Sequence, residues 1–440
     1  VETNDAAKDM TLKQLKDGVT ISEHFSEGSK VLPGVSFTYY KVTESQFNAM
    51  KTTPADYDTI GKVNTFVGAT GIGTAETDSA GQVTLPSLAE GFYWVVENTK
   101  GTIASSTAVP FGIALPFTNE AGTGYLETVH VYPKNVIKDA NPDVEKEVDK
   151  SNVAIGDINT WTVKLDIPDG IEDYKQFSFF DNIDSRLDFV GLNTVNVKAG
   201  ATVFANETDY TATYTGSKLN VAFTAVGLKK LALAEAEKVE VSFKTKVNDT
   251  AIMGQNIKNS ATIQFDNGFG TTGDKVPDVI PEVHTGGKAF KKINKDTQAE
   301  LAGAEFKIKN AAGEYVKFVA GAVTFVTETE ATIFTSNATG NFEVKGLPYA
   351  TYTLVETKAP NGYALPTDPT TEFTVSATSY YTNPTEITAG NTASNNVQNV
   401  LNRKLTIPQT GGFGTMAFTV IGTILMLSSI LFYKRTGKKA

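Results

Sequence analysis

The sequence predicts an all-β molecule: tandem immunoglobulin-like β-sandwich domains followed by one C-terminal transmembrane helix. Three observations predict it. Runs rich in Val, Thr, Phe and Tyr, such as Trp161–Ile167, Val239–Val247, Asn341–Leu347 and Thr351–Thr357, alternate with Gly, Asn and Asp turns almost throughout. Two distant segments repeat one spacing of Gly, Leu and Glu. An uncharged run, Phe413–Tyr433, lies near the C-terminus.

The chain has 440 residues, which favours two to four domains, and 40% of them are hydrophobic, enough for real cores. A formal charge of -10 gives no electrostatic case for binding nucleic acid. With no cysteine, disulfides and thiolate zinc sites are excluded. His24, His130 and His284 are scattered without metal-ligand spacing, so neither a metal nor a cofactor is expected. No Ser-His-Asp signature or phosphate loop points to an enzyme. The sequence opens at Val1 without Met or an apolar leader, so a secretion signal is expected to be removed or to lie outside it.

The repeat defines the first and third domains. Leu32–Phe37, Gly81, Leu88 and a strand ending at Glu97 are matched by Leu301–Phe306, Gly340, Leu347 and Glu356. Gly to Glu spans 16 positions in both copies, and Leu to Glu spans 9. A different unit lies between, flanked by Asn141-Pro142 and by the segment Pro277–Pro281. The expected domains are 1–137, 138–283 and 284–405, with a tail at 406–440. A helix-like patch, Leu228–Lys238, reads as a short connection.

In the tail, Ile407-Pro408-Gln409-Thr410-Gly411 precedes the apolar run, and Lys434, Arg435, Lys438 and Lys439 follow it. Twenty-one residues rise roughly 30 Å, a bilayer's hydrocarbon thickness, and the basic end suits the cytoplasmic side. This three-part order resembles the cell-wall sorting signal recognised by sortases, usually LPXTG, with Ile407 in place of Leu. The resemblance implies cleavage between Thr410 and Gly411 by a sortase cysteine, a transient membrane span and attachment to peptidoglycan.

Alternate residues of a strand face one side. Phe290 with Lys292, Tyr352 and Leu354 with Glu356, and Val400 with Asn402 therefore place a lysine, an acid and an amide among apolar neighbours. Val144 and Val148 flank Lys146, Phe179 and Ile183 flank Asp181, and Ile257 and Ala261 flank Asn259 in the same way. Burial lowers a lysine pKa and raises a carboxyl pKa. A neutral amine is then a nucleophile, and a protonated carboxyl can bond the asparagine carbonyl and shuttle protons. Such a trio suits a spontaneous isopeptide bond with loss of ammonia. Joining positions 110 apart, as Lys292 and Asn402 are, is worth about 5 kcal/mol in the chain-entropy model.

Tyr352–Tyr363 (YTLVETKAPNGY) resembles the E-box of Gram-positive pilins, YxLxETxAPxGY, at every fixed position. The whole chain resembles a sortase-assembled backbone pilin built of collagen-adhesin-like domains. The third domain resembles the B-type module, with Lys292, Glu356 and Asn402 as its bond trio. The middle domain resembles the A-type module, with Lys146, Asp181 and Asn259, although Lys150 competes with Lys146. Tyr132-Pro133-Lys134-Asn135 resembles the pilin motif, whose lysine is the sortase acceptor. If Val129, Val131, Pro133 and Asn135 face the core, Lys134 faces out. The resemblance then implies a link from Lys134 to Thr410 of another copy.

Asn135 is also expected to close a bond in the first domain with Glu97 as its acid. The matching lysine is missing: the equivalent position is Glu23, and Lys13 and Lys16 sit in a loop-like insertion. The expectation is that the sequence begins just after that strand. The partners implied are a pilus-specific and a housekeeping sortase, identical subunits, accessory pilins, peptidoglycan and a possible host receptor. The competing reading is a monomeric wall-anchored adhesin.

Overall fold

The computed structural model describes residues 31–85, 87–98, 103–107, 109–119, 122–126, 128–137, 141–268, 272–387, 393–404 and 414–436. The chain is all-β with an apolar helix after its domains. It divides into two compact units, Val1–Thr285 and Gly286–Ala440. Among the described residues, no sheet takes strands from both sides of residue 140.

In residues 31–137, Gly73–Glu76, Ser36–Val42, Gly91–Glu97 and Phe111–Leu115 form one antiparallel sheet in that order. Residues 92–96 run Phe-Tyr-Trp-Val-Val without alternation, and the structure shows why. One face carries Tyr40, Trp94 and Val96 against Phe47, Met50 and Val63 of two helices, Glu44–Thr52 and Ile60–Val67. The other carries Phe37, Tyr39 and Val95. A strand covered on both faces reads as a continuous apolar run. The helices depart from the strand-like expectation. Their local signals are short caps: Thr43 and Gln46 form a reciprocal capping box, and Thr59 accepts from the Lys62 amide.

Residues 141–285 hold two five-membered strand paths. One runs Thr202–Phe204, Asn196–Ala199, Lys238–Val247, Ile158–Asp166 and Val144–Val148. The other runs Tyr210–Thr215, Lys218–Phe223, Gln176–Asn182, Thr262–Asp266 and Thr272–Lys275. Asn256–Lys258 pairs with Glu282–His284 apart from both. Alternation is clean here: Trp161, Val163 and Leu165 are buried and the residues between them are not. The helix-like patch is a helix, but shifted to Ala225–Ala232. Thr224 caps it, and Leu228 and Leu231 are buried.

In the second unit, Asn341–Leu347, Gly286–Asn294 and Val397–Asn402 form one sheet, the last two strands parallel. The other contains Tyr315–Val319, Glu305–Lys309, Ala350–Lys358 and Thr370–Val375. Between them Phe306, Phe342 and Phe290 stack in turn, and Phe373 meets Phe290 edge-on, with ring centroids 4.4 to 5.0 Å apart.

The spacing repeat has a structural counterpart. Gly81 and Gly340 both take positive φ, +70° and +77°, which only glycine adopts cheaply. Phe37 pairs with Glu97 and Phe306 with Glu356, so each copy sets its acid at the same register. The helix Gly414–Thr436 follows, long and apolar enough to cross a membrane.

Candidate functional site

The second unit brings Lys292, Glu356 and Asn402 into contact. Lys292 lies on Gly286–Asn294, and Asn402 ends the parallel neighbouring strand. Glu356 reaches across from the opposing sheet. Lys292 is 0% exposed, Asn402 2% and Glu356 4%. Lys292 Nζ donates to Glu356 Oε2 and to Asn402 Oδ1, both at 2.8 Å. Asn402 Nδ2 donates to Glu356 Oε1 at 2.8 Å, closing the triangle. The Phe306 ring centroid is 5.3 Å from Nζ. Burial pushes the Lys292 amine down, against the opposing pull of Glu356.

Residues 141–285 repeat this arrangement with an aspartate. Lys146, Asp181 and Asn259 are all buried. Lys146 Nζ donates to Asp181 Oδ2 and, at 3.1 Å, to the Ser260 carbonyl. The Asn259 amide is assigned the orientation that satisfies both its ends. Its oxygen then accepts from Lys146 Nζ at 2.9 Å and its nitrogen donates to Asp181 Oδ1 at 2.7 Å. In both trios the ammonium sits on one carboxyl oxygen, the amide nitrogen on the other, and the amine on the amide oxygen. Burial holds Lys146 down at about 8 and pushes Asp181 up, although each pulls the other back. Lys150 does not join them: half-exposed, it pairs with Asp157 at 2.9 Å.

The first unit places Glu97 and Asn135 together. The strand Lys134–Ile137 pairs with Ile103–Thr107, setting Asn135 opposite Ser106. Ser106 Oγ donates to Glu97 Oε1 at 2.8 Å, and the Asn135 amide, turned to satisfy its nitrogen, donates to the same oxygen at 3.1 Å. Burial pushes the Glu97 carboxyl up. Lys13, Lys16 and Glu23 lie outside the described residues, as do Ile407, Pro408, Gln409, Thr410 and Gly411.

Lys134 does not face out as expected. It is 9% exposed, Tyr132 is 8% and Asn135 is 6%, while Val131 and Pro133 are half-buried. Alternation assigns sides and not exposure, so two successive covered residues mean cover on both sides. Burial lowers the Lys134 amine. Sequence reasoning also missed the rings that shield the Lys146 amine. Trp161 and Phe243 lie 5.2 and 5.4 Å from Lys146 Nζ, and both stand at inward positions of strands legible in the sequence.

Family models match in succession along the chain. The Gram-positive pilin subunit D1 N-terminal domain matches residues 2–136, and the Sgo0707 N2 domain matches 141–276. A prealbumin-like fold domain matches 286–390, and the LPXTG cell wall anchor motif matches 404–440. The fimbrial subunit type 2 of Actinomyces naeslundii is 28% identical over 397 residues, 81% of this chain and 71% of that protein. The fimbrial subunit type 1 of Actinomyces viscosus is 27% identical, over 76% of this chain and 70% of that one. The C-terminal fragment of the major pilin GBS80 of Streptococcus agalactiae is 28% identical with a TM-score of 0.53, covering 60% of this chain and all of that one. Full-length RrgB of Streptococcus pneumoniae, 20% identical with a TM-score of 0.54, shares the fold over 88% of this chain and 93% of its own. With pilin-type domains, a wall-anchor motif and structural fimbrial relatives over most of its length, the chain resembles the Gram-positive backbone pilins and is a non-enzymatic protein anchored at the cell surface.

Proposed function

We propose that this chain is the backbone subunit of a covalent surface pilus that supports adhesion and colonisation. A pilus-specific sortase joins the Lys134 amine of one copy to the Thr410 carbonyl of another. A housekeeping sortase then ties the fibre, with its accessory pilins, to peptidoglycan. Amide bonds from Lys292 to Asn402 and from Lys146 to Asn259 lock two domains internally.

One observation carries the internal chemistry: two separate trios share one donor–acceptor arrangement in dry surroundings. The carboxyl oxygen facing Nζ takes its proton, leaving a neutral amine. The amine attacks Cγ of the asparagine. The other carboxyl oxygen, beside Nδ2, stands where the leaving nitrogen needs a proton. The Cγ–Nδ2 bond breaks, one ammonia departs and one Nζ–Cγ bond remains. Fixed contact makes each step intramolecular.

Intact-mass measurement of the wall-released protein is expected to show a deficit of two ammonia molecules. Glu356→Ala and Asp181→Ala each restore one. A third loss, in the first domain, requires a lysine beside Glu97 and Asn135. For polymerisation, wall extracts are expected to give an SDS-resistant ladder that Lys134→Ala abolishes. The cover over Lys134 favours a second reading, a monomeric wall-anchored adhesin binding a host matrix protein. Monomer alone from both strains would establish that reading instead.

A further inference from the structure

We infer that Tyr363 is a positioning residue for the Lys292–Asn402 bond, an inference that rests on the internal chemistry proposed above. Glu356 leaves its strand through Pro360, Asn361 and Gly362, where the Tyr363 amide donates to the Pro360 carbonyl at 3.0 Å. Gly362 has φ +84°, so the turn is of the kind that needs glycine at its third position. It carries the chain back over the ends of both bond-bearing strands.

Tyr363 engages each of those ends. Its hydroxyl accepts from Asn294 Nδ2 at 2.7 Å, and Asn294 stands two residues beyond Lys292 on the same strand face. Its backbone bridges Lys404, two residues beyond Asn402. Asn294 is 5% exposed, and its Oδ1 accepts from the amides of Asp296 and Thr297 at 2.8 and 3.1 Å. The hydroxyl therefore grips a side chain that is already fixed. The two strands pair here, Asn294 opposite Asn402, and the Lys295 amide donates to the Asn402 carbonyl at 2.8 Å. One short segment thus supplies the carboxyl at one end and clamps both reacting strands at the other. Among the described residues the Tyr363 hydroxyl bonds Asn294 and neither Lys292 nor Asn402, so its effect runs through alignment. Displacing reacting atoms by about 1 Å costs on the order of 100-fold in an intramolecular reaction.

The test follows bond closure in the full chain made by cell-free synthesis. Peptide mapping of timed samples quantifies the Lys292–Asn402 crosslink, with the Lys146–Asn259 crosslink of the same molecules as internal clock. Tyr363→Phe keeps the ring and removes the hydroxyl. It is expected to slow the first crosslink by about 10-fold or more, within the range that misalignment reaches, and to leave the second unchanged. Asn294→Ser is expected to slow it similarly, and the double variant no further than either alone. A structural role is separated on a Glu356→Ala background, where this bond cannot form. There, adding Tyr363→Phe is expected to leave protease resistance unchanged, and a fall would overturn the positioning role. Wild-type closure rates in Tyr363→Phe overturn this inference alone, whereas a wild-type chain with Lys292 free overturns it together with the chemistry beneath it.

Discussion

As a free amine, Lys146 costs the folded chain free energy, a cost that the proposed amide would remove. Burial holds it at about 8 against an ordinary 10.5. An amine with a depressed folded pKa leaves the unfolded state binding more protons between those values, so stability rises with pH across that window. Below it the full penalty, about 3 kcal/mol, is in place. Asn259→Ala, which keeps the lysine but cannot close, is expected to gain about that much between pH 8 and 10.5. Wild type, whose amide does not titrate, should lack the gain. Urea melts of both at the two pH values measure the difference, and parallel curves would count against the bond. Lys146→Ala is further expected to restore one ammonia mass, whereas Lys150→Ala restores none. The choice between these lysines was not legible in the sequence, because both follow apolar residues at strand-like spacing. Only the loop that turns Lys150 back onto Asp157 separates them. The trios themselves were legible, because a lysine, an acid and an amide on apolar strand faces leave a signature of period two. The cover over Lys134 was not, since it depends on what packs over a strand from distant sequence.

Among the elements, the turn before Asn341–Leu347 sets the lysine strand. Gly340 combines φ +77° with a close approach: a Cβ there would stand 2.4 Å from the Lys292 carbonyl oxygen. Its own carbonyl accepts from the Lys292 amide at 2.8 Å. Gly303 has φ +78° but open space around the same position. Gly303→Ala is therefore expected to cost only the left-handed strain, about 1–2 kcal/mol. Gly340→Ala should cost at least 1 kcal/mol more, since the strand must move. It should also lower the yield of the Lys292–Asn402 crosslink. Melts and peptide mapping of the two variants give the comparison, and equal behaviour would show that the strand absorbs the clash. The glycine spacing carried this much of the fold into the sequence. The helices over the first sheet were harder to read, being short, with one capping box and one lone Thr cap as their local signals, beside an already apolar strand pair.

Over the whole molecule, the two proposed bonds enclose different shares of their domains. Lys292 and Asn402 lie on the first and last strands of the second unit's sandwich, so that bond spans nearly all of it. Asn259 does not stand on a last strand: Thr262–Asp266, Thr272–Lys275 and Glu282–His284 follow it. If both bonds form, tension bypasses the second unit's sandwich but not the strands that follow Asn259. Under tension, residues 292–402 are expected to resist lengthening, whereas residues 141–285 are expected to release the stretch after Asn259. The 26 residues from there to Thr285 hold up to about 90 Å of contour. Within residues 141–285, single-molecule stretching should record a step of at most that length, growing several-fold in Asp181→Ala as residues 146–259 also become extensible. A fibre of such copies would behave as a chain of rigid links joined by sacrificial folds. Each fold would pay out slack under a sudden drag and wind it back when the flow eases, so a tethered cell would be decelerated rather than torn loose.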